Sequence, residues 1–273
     1  MQQPDKHIPG ATSIHQPLVT LAGAGPGDPE LITLKLQRRL QEAEVIITDR
    51  LVNPLIIQSH AGAAARIIQA GKQGYNEKSY TQEEVTAIIV AEARKGKRIL
   101  RLKGGDVAFF SNVLDELEAL VKEQIPFEII PGITAASGAS AYAGIPLTAR
   151  GYAQGVRFIA FNPNQQFDVA TFRSLATGTD TVVVYMAVRN LEELAHKLIS
   201  FQADPEKKIA VVEQASTTAQ KISISTLGNA AIDFAGKSFS SPSLVIIGDV
   251  LALYGRFDWF KETGGDPVFN ELS

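Results

Sequence analysis

Gly23-Ala24-Gly25-Pro26-Gly27-Asp28-Pro29 follows the apolar run Leu18–Ala22, and this pattern of a strand ending in glycines decides the fold class. A second such loop, Arg101-Leu102-Lys103-Gly104-Gly105-Asp106, follows Ile99-Leu100. Glycines at the carboxyl end of a strand allow a ligand to approach the backbone closely, and open α/β sheets bind small molecules at that edge. The two loops therefore predict an α/β fold with a small-molecule site beside them.

Each loop also carries an aspartate, which argues against a phosphate ligand because a carboxylate would repel it. The dinucleotide fingerprint G-x-G-x-x-G fails at Asp28, and Pro26 removes one backbone donor from the loop. A nucleotide site nevertheless stays open as an alternative, because Asp49 follows the strand-like run Val45–Thr48 where a ribose-binding acid would stand. A single glycine loop would also be typical of an ordinary tight turn.

Composition excludes several classes of protein. The 273 residues carry a formal charge of −3, so no basic field attracts nucleic acid. The chain has no cysteine, and its four histidines are scattered without ligand spacing, so we predict no disulfide and no metal site. No apolar run is long enough to span a membrane, and Met1–Gln16 is too polar for a secretory signal. We expect a cytoplasmic protein with a disordered leader over residues 1–17.

Strands and helices alternate along the chain, which predicts βαβ units and a mainly parallel sheet in the first half. We expect a helix over Pro29–Ala43 with Asp28 as its N-cap, and a helix over Thr81–Lys95 that opens with a Thr81–Glu84 capping box. The simplest division has an N-terminal domain over residues 18–132, a C-terminal domain over 133–262 and a tail over 263–273, with the ligand between the halves.

Five segments in register resemble the uroporphyrinogen-III C-methyltransferases of the tetrapyrrole methylase superfamily. They are Gly23–Leu31 (GAGPGDPEL), Thr48–Val52 (TDRLV), Arg101–Asp106 (RLKGGD), Pro131–Ser137 (PGITAAS) and Ala141–Thr148 (AYAGIPLT). The resemblance runs from about Val19 to Phe260. It implies two α/β domains of the class III methyltransferase type with a cleft between them, a homodimer, S-adenosylmethionine as methyl donor, no metal, and a tetrapyrrole as acceptor.

The same resemblance assigns residues to the methyl donor. The implied donor contacts are Pro26, Gly104, Gly105, Asp106, Phe109, Thr134, Ala135, Met186 and Ala215, the last standing where the family has a glycine. A pocket of apolar groups, carbonyl oxygens and a few backbone donors suits a cationic sulfonium joined to adenine. Composition alone would favour ordinary core packing for Met186.

Catalysis at the acceptor requires removal of a proton from the ring system, for which an acid–base pair is suited. The resemblance suggests Asp49 and Lys72 for these roles. The alternatives are a strand-end cap for Asp49 and a solvated side chain for Lys72. Several cations in or beside the matched segments are candidates for binding the acceptor's carboxylates, among them Arg50, Lys103 and Arg150, together with Arg101 and Arg157.

The chain departs from the family pattern at positions that we expect to face the acceptor. Asn112 replaces an arginine, Ala149 replaces a histidine, and Phe161 stands in a segment that usually reads Thr-Gly-His. A histidine usual after Gly71-Lys72 is replaced by Lys78. These departures leave three hypotheses: methylation of uroporphyrinogen III to precorrin-2, methylation of another precorrin, or a non-catalytic relative that binds the donor alone.

Overall fold

The structure, a computed structural model, describes residues 18–70, 80–164, 168–261 and 264–269. It contains two five-stranded sheets, one from each half of the chain. The strands are β1 (Val19–Gly23), β2 (Val45–Thr48), β3 (Arg66–Gln69), β4 (Ile99–Lys103), β5 (Phe127–Ile130), β6 (Val156–Ala160), β7 (Thr181–Tyr185), β8 (Lys208–Glu213), β9 (Lys221–Thr226) and β10 (Ser243–Ile247). The helices are α1 (Leu34–Glu42), α2 (Pro54–His60), α3 (Gln82–Ala93), α4 (Leu114–Lys122), α5 (Ala135–Tyr142), α6 (Val169–Thr177), α7 (Leu191–Ser200) and α8 (Ala230–Asp233).

The first sheet has the strand order β3-β2-β4-β1-β5, and all its neighbouring strands are parallel. Its central strands are buried along their whole length, as parallel strands covered on both faces should be. The order places β1 between β4 and β5, so the loops that follow these three strands meet at one edge. The predicted α/β fold with a parallel first sheet is confirmed.

The second sheet has the order β6-β7-β10-β8-β9 and is mixed. Strands β6 and β7 are parallel, and the remaining pairs are antiparallel. Helix α5 packs on this sheet, because its buried Ala136 and Ala139 belong to the same apolar cluster as Val183 and Ile246. Strand β5 ends at Ile130, before α5 begins, and a domain boundary at residues 132/133 remains our prediction.

The prediction of one continuous helix over Pro29–Ala43 is wrong. Asp28 caps a short 3-10 turn, Pro29–Leu31, by accepting a hydrogen bond from the backbone nitrogen of Glu30 at 2.8 Å. The chain then becomes extended, and Thr33 caps the separate helix α1 through Leu36 N. Two capping residues in close succession explain the break, since each one starts its own turn. The capping box that opens α3 is confirmed.

Three glycines bring the strand ends at this edge of the first sheet into direct backbone contact. A Cβ atom on Gly23 would lie 2.5 Å from the carbonyl oxygen of Gly105 and 2.8 Å from Gly132 N, and one on Gly132 would collide with the same oxygen. Gly25 and Gly105 also exchange two backbone hydrogen bonds, at 3.0 and 2.8 Å. The floor of this edge is therefore made of backbone, and no larger residue fits at Gly23 or Gly132 without displacing it.

Candidate functional site

A cleft of about 660 Å³ lies between the two halves of the chain, a volume ordinary for a small-molecule site. From the first half it is lined by the two glycine loops and by the loop after β2. From the second half it is lined by the start of α5, the turn after β7, the loop after β8 and residues 237–244. The ligand cleft expected between the two halves is therefore present.

All residues that the motifs assign to the methyl donor line this one cleft. They are Pro26, Gly104, Gly105, Asp106, Phe109, Thr134, Ala135, Met186 and Ala215. Gly105 has a φ of +66°, a conformation that side chains other than glycine's rarely adopt. Asp106 Oδ1 accepts a hydrogen bond from Ala108 N at 2.9 Å, which closes the turn after this glycine. The structure brings the set together; its binding role remains a prediction.

Met186 is not a core residue. Its side chain is 65 % exposed and its φ is +59°, an unfavourable backbone conformation for a side chain with a Cβ atom. The turn that begins at Met186 continues through Val188–Asn190 and directs both Met186 and Arg189 toward the cleft. The exposure of Met186 excludes core packing as the reason for this methionine. Local backbone strain at a cleft is also a common feature of functional sites.

An aromatic wall that the sequence analysis missed covers one side of the cleft. Tyr185 and Phe110 both line it, with their rings 4.6 Å apart. The Tyr185 hydroxyl forms a hydrogen bond with Thr134 Oγ1 at 2.8 Å and accepts another from Ala136 N at 3.2 Å. Burial raises the pKa of Tyr185, so it remains a neutral phenol that fixes the first turn of α5. The sequence feature that could have indicated this wall is the position of Tyr185 directly before Met186.

Asp49 stands immediately before two lining residues, Arg50 and Leu51, at the end of β2. Its Oδ2 lies 3.4 Å from Nη2 of Arg101, and its buried Oδ1 has no hydrogen-bond partner among the described residues. Burial raises the pKa of this carboxyl, and the charge of Arg101 opposes that rise. A carboxylate with a raised pKa and a free oxygen is a chemically suitable general base.

Lys103 does not reach the cleft. Its ammonium is buried, lies 3.2 Å from Glu116 Oε1 and donates a hydrogen bond to the Ser111 carbonyl at 2.7 Å. Arg101 shares the same carboxylate oxygen at 3.0 Å. The predicted acceptor-binding role of Lys103 is therefore corrected: the side chain belongs to a buried ion cluster beneath Asp49. Burial, with a further contribution from the charge of Arg101, lowers the pKa of Lys103.

Arg50 is the one predicted acceptor-binding residue that lines the cleft. Its Nη2 donates to Ser241 Oγ at 3.2 Å, and its buried Nη1 has no partner within the described parts of the chain. Burial lowers the pKa of Arg50; the charge of Asp49 opposes this, and the like charge of Arg189 adds to it. The effect of the Arg189 charge on this pKa indicates that Arg189, from the second half of the chain, lies near Arg50.

The remaining predicted residues lie either outside the cleft lining or outside the described part of the chain. Arg150 is exposed and lies outside the cleft lining, so its role remains a prediction. Phe161 is fully buried in the core of the second half against Phe172, so our expectation that it faces the acceptor is wrong; an apolar ring at the end of β6 is stabilised by burial. Lys72 and Lys78 lie outside the described residues.

The described residues contain no group of three or more His, Cys, Asp or Glu side chains arranged to hold a metal ion. Among them, no helix combines the length and apolar character needed to cross a membrane. Part of the predicted tail packs against the protein, since Phe269 is buried and Val268 N donates to Gln214 Oε1 at 3.0 Å, next to cleft residue Ala215.

Comparison with known proteins adds a family match. Residues 18–231 match the model of the tetrapyrrole (corrin/porphyrin) methylases. Siroheme synthase from Acinetobacter baylyi is 42 % identical over 241 residues, covering 88 % of this chain and 52 % of that protein. Siroheme synthase from Nitrosococcus oceani is 39 % identical over 250 residues, covering 92 % and 53 %. The chain spans about half the length of these curated relatives.

Solved structures give the same picture. Uroporphyrin-III C-methyltransferase from Thermus thermophilus has a TM-score of 0.72 at 31 % identity, over 88 % of this chain and 95 % of that one. The same Thermus thermophilus enzyme in complex with S-adenosylhomocysteine has a TM-score of 0.72 at 32 % identity, over 86 % and 99 %. A cobalt precorrin-4 methyltransferase shares the fold with a TM-score of 0.76 at 23 % identity, over 89 % and 99 %.

Proposed function

The chain belongs to the family of tetrapyrrole (corrin/porphyrin) methylases, and we propose that it transfers two methyl groups from S-adenosylmethionine to uroporphyrinogen III, giving precorrin-2. The observation that carries the proposal is the convergence of every motif-assigned donor residue on one cleft. Similar chains named siroheme synthase and uroporphyrin-III C-methyltransferase support the choice of acceptor, and the complex with S-adenosylhomocysteine supports the choice of donor.

The backbone floor around Gly105 supports binding of the donor. Carbonyl oxygens from the glycine loops suit a sulfonium cation, and the apolar faces of Pro26, Phe109 and Met186 suit the adenosyl group. Asp106 at the same wall disfavours pyrophosphate, which separates this ligand from a dinucleotide. Methyl transfer requires little acid–base help. The enzyme promotes it mainly by holding the nucleophile in line with the methyl–sulfur bond.

The proposed reaction at the acceptor consists of a methyl transfer followed by the loss of a proton. A pyrrole carbon attacks the donor's methyl carbon, the methyl–sulfur bond breaks, and its electron pair stays on sulfur as neutral S-adenosylhomocysteine forms. The cationic ring system then loses a proton. We propose that Asp49, whose pKa is raised by burial and whose Oδ1 has no hydrogen-bond partner among the described residues, accepts that proton, and that Lys72 is the acid.

The decisive experiment incubates the protein with S-adenosylmethionine and uroporphyrinogen III and measures the product by mass spectrometry. We expect two added methyl groups and two equivalents of S-adenosylhomocysteine. Titration calorimetry should show binding of S-adenosylhomocysteine and none of NAD. Binding of the donor product with no methylated acceptor would contradict the proposal.

A second candidate, methylation of a later precorrin, is favoured by one observation. Asn112 is exposed on the loop that carries Phe109 and Phe110, and it replaces the family's arginine there. The same assay with precorrin-2 as acceptor separates the candidates, since only the second predicts faster methylation of precorrin-2 than of uroporphyrinogen III. We also propose a cytoplasmic homodimer, which light scattering would test by a mass of twice 29.4 kDa.

A further inference from the structure

Three cations from both halves of the chain line the cleft: Arg50 after β2, Arg189 in the turn after β7, and Lys237 in the loop before β10. None of them forms an ion pair with a carboxylate of the described residues. The motifs of the sequence did not mark Arg189 or Lys237, and neither belongs to the donor set. Their convergence therefore needs a separate explanation.

Arg50 keeps unused hydrogen-bonding capacity toward an anion. Its Nη1 is buried without a hydrogen-bond partner in the described structure, while its Nη2 has only the neutral hydroxyl of Ser241. A buried donor on a charged group is costly to leave unpaired, and a second guanidinium nearby adds repulsion. The positive charge of Arg189 acts on Arg50 in this way. A bound carboxylate would relieve both costs.

The acids near the cluster are already engaged elsewhere. Oδ1 of Asp106 accepts a hydrogen bond from Ala108 N, and Oδ2 of Asp49 lies 3.4 Å from Nη2 of Arg101, which does not line the cleft. Lys237 is exposed and its ammonium lies 5.4 Å from the centroid of the Phe234 ring, and that ammonium donates no hydrogen bond to the described residues. Neither carboxylate forms an ion pair with Arg50, Arg189 or Lys237, the three residues that make up the cationic wall of the cleft.

The loop that follows Lys237 adds neutral hydrogen-bonding groups to the same wall. Ser238, Ser240 and Ser241 all line the cleft. Hydroxyls beside cations suit carboxylates, because each oxygen of a carboxylate accepts more than one hydrogen bond.

We propose that Arg189 and Lys237, together with Arg50, bind carboxylate side chains of the tetrapyrrole acceptor and so determine its specificity. This inference rests on the proposed function and deepens it. The donor also has a carboxylate, but its own ammonium group balances that charge, and three cations exceed what one balanced carboxylate needs. The acceptor carries carboxylates around its whole rim, so it is the source of anions that matches the wall.

The test measures binding and turnover separately. Equilibrium binding of uroporphyrin III, the stable oxidised macrocycle, is measured with S-adenosylhomocysteine present, for the wild type and for Arg189→Gln and Lys237→Gln. We expect each variant to bind the macrocycle about tenfold more weakly, the loss typical of one charged hydrogen bond. The dissociation constant of S-adenosylhomocysteine should change less than about twofold, because the donor residues are intact.

Matched controls isolate the position from the charge. Arg173→Gln removes an exposed arginine from α6, outside the cleft, and should leave macrocycle binding unchanged. Lys237→Arg restores a cation and should recover most of the affinity. Coproporphyrin III, the same macrocycle with fewer carboxylates, should bind more weakly than uroporphyrin III to the wild type and should discriminate less between wild type and Arg189→Gln.

Two results would overturn the inference. Unchanged macrocycle affinity in both glutamine variants would remove the cations from the acceptor site. Weaker binding of S-adenosylhomocysteine, with unchanged macrocycle binding, would assign the cluster to the donor's carboxylate instead. Neither result depends on turnover, so a wild type that binds the macrocycle but does not methylate it would refute the proposed function and leave this inference standing.

Discussion

Nη2 of Arg101 lies 3.4 Å from Oδ2 of Asp49, while Nε of the same guanidinium is held 3.0 Å from Glu116 in the interior. The proposed base is therefore connected to a buried ion cluster that also contains Lys103. The charge state of Asp49 depends on residues outside the cleft lining.

The first prediction concerns pH. Burial raises the pKa of Asp49, and the charges of Arg101 and Lys103 lower it, so Lys103→Met should raise it further. A base acts in its deprotonated form, so the acidic limb of the kcat/KM profile should move to higher pH in this variant. Lys207→Met is the matched control, because Lys207 also donates to carbonyl oxygens but is not among the charges that shift the pKa of Asp49. Coincident acidic limbs in all three proteins would contradict the role of Asp49.

The second prediction concerns the glycine loop. Gly105 has a φ of +66°, which a β-branched residue adopts only with strain, so Gly105→Val should displace the donor loop. We expect S-adenosylhomocysteine to bind at least about tenfold more weakly, or about 1.4 kcal/mol, by calorimetry. Gly96→Val introduces similar strain in an open turn after α3, where φ is +76° and no atom lies near. Equal affinities in the two variants would remove this loop from the site.

The third prediction separates function from stability at Met186. Glycine tolerates its φ of +59° better than alanine, by about 1 kcal/mol, so Met186→Gly should unfold at a higher denaturant concentration than Met186→Ala. Both variants lose the side chain that is proposed to contact the donor, and both should bind S-adenosylhomocysteine several-fold more weakly. Wild-type affinity in both variants would return this residue to a purely structural role.

The fourth prediction concerns the packing of α5. A Cβ atom on Gly138 would collide with the ring of Pro26, so Gly138→Ala should destabilise the protein even though alanine favours helix formation. We expect a loss of about 1–3 kcal/mol in chemical denaturation. Ser137→Ala, at an exposed position of the same helix, is the control and should be neutral or slightly stabilising. A stabilised Gly138→Ala variant would show that the contact yields without cost.

The residues proposed to contact the donor could be grouped from the sequence because they belong to short motifs that follow strands. The strands β4, β1 and β5 are neighbours in the first sheet, and this order brings the loops that follow them together. The bounds of β2, β5, β8 and β10 follow equally directly from their apolar runs, and those of β9 follow from its alternation of apolar and polar residues. Helix α2 was missed although Asn53 and Pro54 form an ordinary helix start.

The residues proposed to bind the acceptor could not be predicted in the same way. Arg101 and Lys103 alternate with leucines along β4, and a cation in a strand points either to solvent or to a buried partner. That choice depends on Glu116, which α4 supplies from a different element. The position of Arg189 and Lys237 at one cleft likewise depends on two loops that are distant in the sequence and meet only in the folded chain.

The backbone floor formed by Gly23, Gly105 and Gly132 has a consequence for how this protein can change. A surface made of main-chain atoms keeps its shape whatever happens to the side chains around it, whereas the wall opposite is made of side chains that can be exchanged one at a time. Selection for a new acceptor should therefore accumulate substitutions at positions such as Arg189 and Lys237 and leave the glycines untouched. The cleft thus combines a fixed half with an adaptable half, and the same methyl donor can serve a succession of acceptors.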